Sequence, residues 1–126
     1  MVVLDSSALI AFIKEEPGAE LVESRLPSAV VSAVNLQEIA KKMIDAGSSL
    51  DDVGRMVDQL KLDVRSHDVE DAFLAASLAP ATRRFGKGLG DRSCMALAIR
   101  LGVPAITTDR TWAQLEIPGL EVILAR

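Results

Sequence analysis

Four acidic side chains stand where folding can bring charge together: Asp5 in M-V-V-L-D-S-S-A-L, Glu38 in S-A-V-N-L-Q-E, Asp91 in G-D-R-S-C-M-A-L-A and Asp109 in T-T-D-R-T-W. Converging carboxylates repel one another, by about 4 kcal/mol for a pair at about 4 Å in an effective dielectric of about 20, so such a group needs protons or a counter-charge. A divalent cation supplies the charge. The chain has one histidine, His67, and one cysteine, Cys94, so the donor set is all oxygen, which suits Mg²⁺ or Mn²⁺ and argues against structural zinc. One ion leaves four acids net negative, whereas two neutralise them, and a phosphate substrate can bring the second.

Each acid also has an ordinary alternative. Asp5, Asp91 and Asp109 each stand just before a helical pattern, where an aspartate can cap a free backbone N–H for about 1 kcal/mol. Asp91 leads an apolar stripe through Met95, Ala98 and Ile99, which turns it toward the sheet edge. Glu38 lies inside a helix whose apolar face is Leu36, Ile39, Ala40 and Met43. That places it roughly opposite the core, where a pair with Lys41 or Lys42 is worth only about 0.2–0.5 kcal/mol.

The elements that must position these acids read as alternating strands and helices. Strands are expected at Met1–Leu4, Ala29–Val31, Lys61–Arg65, Ala105–Thr108 and Glu121–Leu124. Helices are expected at Ser7–Lys14, Ala19–Leu26, about Ser32 to Ala46, about Ser49 to Leu60, Asp68 to before Pro80, Asp91–Leu101 and, briefly, Thr111–Leu115. Pro80 to Gly90 reads as a loop. The pattern predicts one α/β domain over residues 1–126, with a mainly parallel central sheet of about five strands covered by helices on both faces in three layers. In open sheets of this class, ligands bind beyond the carboxyl ends of the strands, where Asp5 and Asp109 fall.

Composition narrows the function classes. With 49% hydrophobic residues in 126, the chain can bury roughly 65–70% of its unfolded surface in one core. Three Phe, one Trp and no Tyr leave almost no platform for stacking bases, and Trp112 is expected to pack at the domain edge. A net charge of -4 argues against general polyanion binding. Arg83, Arg84, Lys87 and Arg92 nevertheless gather around Asp91, where they can hold phosphates beside an acidic centre or simply face solvent. The lone Cys94, the absence of a secretory pattern and the lack of a run of roughly 20 apolar residues predict a cytosolic chain without a membrane span.

The four motifs, in their order and spacing, resemble the PIN-domain family, and more narrowly the VapC-type toxin ribonucleases of toxin–antitoxin pairs. The resemblance covers essentially the whole chain. It implies that Asp5, Glu38, Asp91 and Asp109 form the acidic site and coordinate Mg²⁺ or Mn²⁺, one or two ions; within that site Asp5, Asp91 and Asp109 are expected as the direct ligands, with Glu38 holding a water or acting behind them. It also implies that Ser6 and Thr108 support the site, with Ser7 an adjacent candidate for the role of Ser6. The implied activity is metal-assisted in-line hydrolysis of RNA phosphodiesters without a side-chain nucleophile. The implied partners are a VapB-type antitoxin and a second copy of the chain. A phosphoacceptor receiver domain is a poorer match, because Asp5 lacks a neighbouring acid and the last strand ends L-A-R without lysine. A PIN-like module that binds RNA or protein without cutting is the alternative function.

Overall fold

In β1 (Val2–Leu4) every side chain is buried, which is what a central strand covered on both faces requires. The computed structural model describes residues 1–126 and places β1 in the middle of a five-stranded parallel sheet of order β3-β2-β1-β4-β5. The other strands are β2 (Ala29–Ser32), β3 (Asp63–Arg65), β4 (Ala105–Thr107) and β5 (Val122–Leu124). The chain runs outward from β1 through β2 to β3, then returns to the other side of β1 for β4 and β5. That reversal opens a crevice at the carboxyl ends of β1 and β4.

The helices are α1 (Ser6–Ile13), α2 (Ala19–Arg25), α3 (Ala33–Asp45), α4 (Leu50–Gln59), α5 (Val69–Ser77), α6 (Ala79–Thr82) and α7 (Leu89–Leu101). Strand alternation divides the interior in two. Val2, Leu4, Val31 and Ile106 pack with Leu9, Val22 and Ile39 of α1, α2 and α3. On the opposite face, Val3, Val30 and Ala105 pack with Leu78 and with Cys94, Met95, Leu97 and Ala98 of α7. The result is the three-layer architecture expected, with the five strands at the expected places.

The differences are local. The expected loop from Pro80 to Gly90 contains α6, because Pro80 occupies an early helical position where its missing N–H costs nothing. Helix α7 begins at Leu89, two residues before Asp91, with Gly88 as its N-cap. Trp112 is only 1% exposed and belongs to the core with Val3 and Met95, not to the domain edge. No helix is long and apolar enough to cross a membrane.

Candidate metal centre

Asp5 occupies the N-cap position of α1, in extended backbone with φ −68° and ψ 154°, yet its side chain makes no capping bond. Its Oδ2 accepts instead from Ser7 Oγ at 2.7 Å and Thr107 Oγ1 at 2.9 Å. Sheet register explains the second contact: Leu4 is paired with Ile106, so the next residues on the two strands, Asp5 and Thr107, stand together. The carboxyl group is buried, and burial pushes its pKa from 3.8 up to about 6; the two hydroxyls pull it down while the charges of Asp91 and Glu38 push it up.

Ser32 closes β2 and caps α3 by accepting the Val34 N–H at 3.2 Å. One turn later the helix turns Asn35 and Glu38 toward α7. Asn35 is fully buried, and its Nδ2 lies 3.0 Å from Ser6 Oγ, Glu38 Oε1 and the Gly90 carbonyl. Ser6 Oγ also donates to Glu38 Oε1, at 2.6 Å. Gly90 leaves the space for this arrangement, since a Cβ there would fall on the Glu38 carboxylate.

The inward face of α3 is therefore rotated from the one expected. Asn35 and Ile39 are its buried residues, while Leu36 and Ala40 are half-buried beside α4. A buried amide counts as polar in a hydrophobic pattern, which is why the periodicity placed Glu38 outside. Lys41 is committed elsewhere, to Asp45 at 2.6 Å.

Asp91 lies in the first turn of α7, where its Oδ2 accepts the Gly88 N–H at 3.0 Å. Burial raises its pKa; Gly88 and Lys87 counteract that, and Glu38 and Asp109 reinforce it. Asp109 behaves differently. It caps the short 3-10 turn Arg110–Gln114, with Oδ1 accepting from Thr111 N–H at 3.0 Å and Thr111 Oγ1 at 2.7 Å, and its Oδ2 is paired with Lys87 Nζ. Its partial burial acts to raise its pKa, but Lys87 and Thr111 outweigh that and hold it below the ordinary value.

The basic loop divides. Arg83 and Arg84 are exposed, with the Arg84 guanidinium 4.7 Å from the centre of the Phe85 ring. Lys87 turns inward to Asp109 and its side chain is only 7% exposed. Arg92 holds the Lys87 carbonyl through Nη1 at 2.6 Å.

Among the supporting hydroxyls, Ser6 serves Glu38 and not Asp5. Thr108 contributes its backbone N–H to Ser7 Oγ at 3.1 Å, while the hydroxyl on Asp5 comes from Thr107. Sequence reasoning thus passed over Asn35, Gly90 and Thr107 as site residues. Thr107 was recoverable from strand register and Asn35 from its three-residue offset to Glu38, but Gly90 had no signal beyond being a glycine.

As placed, no three histidine, cysteine or acidic side chains close on one point tightly enough to coordinate an ion. Hydrogen bonding nevertheless separates the acids by what they have left to give. Asp5, Glu38 and Asp91 each engage one oxygen and keep the other without a protein partner, whereas both oxygens of Asp109 are taken. Three mutually repelling carboxylates with a spare oxygen each are a donor set that fits a hard divalent cation.

The chain belongs to the PIN domain family, which it matches over residues 2–118; PIN domains are generally nucleases. No curated protein gives a significant sequence match. Among solved structures, the fold is similar to VapBC-1 from nontypeable Haemophilus influenzae (22% identity, TM-score 0.73, covering 99% of this chain and 98% of that one). It is also similar to VapBC2 from Rickettsia felis bound to a DNA fragment from its promoter (15%, TM-score 0.72, 98% of both chains). A third likeness is to VapBC-5 from Mycobacterium tuberculosis, described as a member of the VapBC family of toxin-antitoxin systems (25%, TM-score 0.62, 97% and 96%).

Proposed function

We propose that the chain is a divalent-metal-dependent endoribonuclease, the toxin half of a VapBC-type pair, with Asp5, Glu38, Asp91 and Asp109 as its acidic site. The observation that carries this reading is the set of spare carboxylate oxygens on Asp5, Glu38 and Asp91 at the carboxyl ends of β1 and β4. These three would hold Mg²⁺ or Mn²⁺. Relative to the division of roles expected from the sequence, this reading moves Glu38 forward to the ion and Asp109 back to anchor Lys87. A bound ion would acidify water and neutralise charge on the phosphoryl oxygens. The protein's own residues hold the acids: Ser7 and Thr107 restrain Asp5, while Ser6 and Asn35 restrain Glu38, so that each would keep its second oxygen for an ion.

Substrate follows from the surroundings. Exposed Arg83 and Arg84, beside the start of α7, supply phosphate contacts without base-stacking surfaces, so strand backbone is recognised ahead of base identity. The exposed apolar residues Val69 and Phe73, one turn apart on α5, together with Leu89, suit a homodimer face, and the half-buried Leu36, Ala40 and Val57 between α3 and α4 suit an apolar antitoxin segment. Intracellular RNA is the substrate this reading requires, in the cytoplasm.

The test is cleavage of a single-stranded RNA with Mg²⁺ or Mn²⁺. Cleavage abolished by chelator and by Asp5→Asn supports the proposal. Binding without cleavage points to the non-cleaving module, and equal cutting of single-stranded DNA removes the RNA assignment.

A further inference from the structure

Lys87 is the one basic side chain of its loop that folding turns away from solvent. Its side chain is 7% exposed, its ammonium is paired with Asp109, and its charge also reaches Asp91, where it counters the effects of burial and of Glu38. Two further contacts hold it there. Arg92 fixes the Lys87 carbonyl at 2.6 Å, and Thr111 orients Asp109 through both its backbone N–H and its hydroxyl.

The acid cluster therefore already contains a cation. Four carboxylates carry four negative charges, so two divalent ions would neutralise them alone; with one ammonium in place, one divalent ion leaves a single residual charge. Asp109, the acid a second ion would need, has neither oxygen free of a protein partner while Lys87 and Thr111 occupy them, so an ion there would have to compete with both. In two-metal sites the ions stand about 3.5–4 Å apart and both contact the scissile phosphate. An ammonium can make one of those contacts, because it donates in three directions and only one is used on Asp109.

We infer that Lys87 is a built-in replacement for the second metal ion: the site binds a single divalent cation on Asp5, Glu38 and Asp91, and the Lys87 ammonium, anchored by Asp109, contacts the phosphate from the other side. This rests on the metal-dependent reading above and specifies its ion count. It also separates Lys87 from Arg83 and Arg84, which meet RNA on the surface and not at the reacting phosphate.

Mn²⁺ binding to the full chain tests the inference without relying on activity. Electron paramagnetic resonance and isothermal titration at pH 7.5 should show one uncoupled Mn²⁺ per wild-type chain. Lys87→Met removes the charge with little change in length and should bind two, with a spin-coupled pair; Lys87→Arg should keep one. In cleavage assays the dependence on Mn²⁺ should change from first order in wild type to second order in Lys87→Met at low metal. A coupled pair in the wild-type protein overturns the inference whatever the variants do. One ion in both wild type and Lys87→Met overturns it while sparing the metal-dependent reading. No Mn²⁺ bound to the wild type overturns both.

Discussion

At neutral pH the Asp5 carboxylate is ionised against the preference of its surroundings. Its pKa of about 6 means that the folded chain holds this proton more tightly than the unfolded chain does, where 3.8 applies. The stabilisation is therefore complete below pH 3.8 and is lost as pH rises through about 6. By pH 7.5 the metal-free fold has given up on the order of 3 kcal/mol through this one group. Asp5→Asn should accordingly raise metal-free stability by about 1–3 kcal/mol at pH 7.5 and change it little at pH 4, as read by urea denaturation. The same substitution should abolish cleavage, which separates a functional acid from a structural one. Gly90 makes the complementary case. Its backbone tolerates alanine, but the added methyl must displace the Glu38 carboxylate, so Gly90→Ala should weaken Mn²⁺ affinity roughly tenfold or more by titration.

At the scale of the element, two kinds of helix start coexist in the chain. Ser49 and Asp52 form a reciprocal capping box at α4, as do Asp68 and Asp71 at α5, and neither pair lies among the site acids. Ser49→Ala should therefore cost about 0.5–2 kcal/mol in denaturation and leave RNA cleavage unchanged. At α1 the capping position is occupied by Asp5 but its carboxylate is diverted to Ser7 and Thr107. Strand and helix periodicity made the sheet and most helices legible, because Val2–Leu4 and Ala29–Val31 are apolar runs that stop at a polar residue, Asp5 or Ser32. The same logic could not decide which aspartates cap, since Asp5 and Asp109 each follow a strand with a hydroxyl residue two positions on, Ser7 or Thr111, and their distant neighbours, Thr107 and Lys87, are not visible in the local sequence. Glu38 was misplaced for a related reason: its inward neighbour Asn35 is polar, and only the approach of Gly90 on α7 makes that face an interior one.

For the whole molecule, charge and association are the measurable properties. A cation that binds only the folded chain adds RT ln(1 + [L]/Kd), about 2.7 kcal/mol at about 100 times Kd. Mn²⁺ at that level should raise the melting temperature at pH 7.5, where Asp5 is ionised, and have much less effect at pH 4.5. Phe73 is 74% exposed on α5, so Phe73→Glu should convert the proposed homodimer to monomer in light scattering without altering the far-ultraviolet spectrum. The parallel sheet carries a consequence in time as well as in space. Asp5 meets its partner Thr107 from 102 residues away, and β1 stays without one of its two neighbouring strands until β4 is made. During synthesis the amino-terminal half can pair β1 with β2, yet it has neither Thr107 to fix Asp5 nor Asp91 beside it. A nascent chain thus lacks a complete acidic site while it is still being made, and the activity proposed for that site has to wait until β4 has emerged.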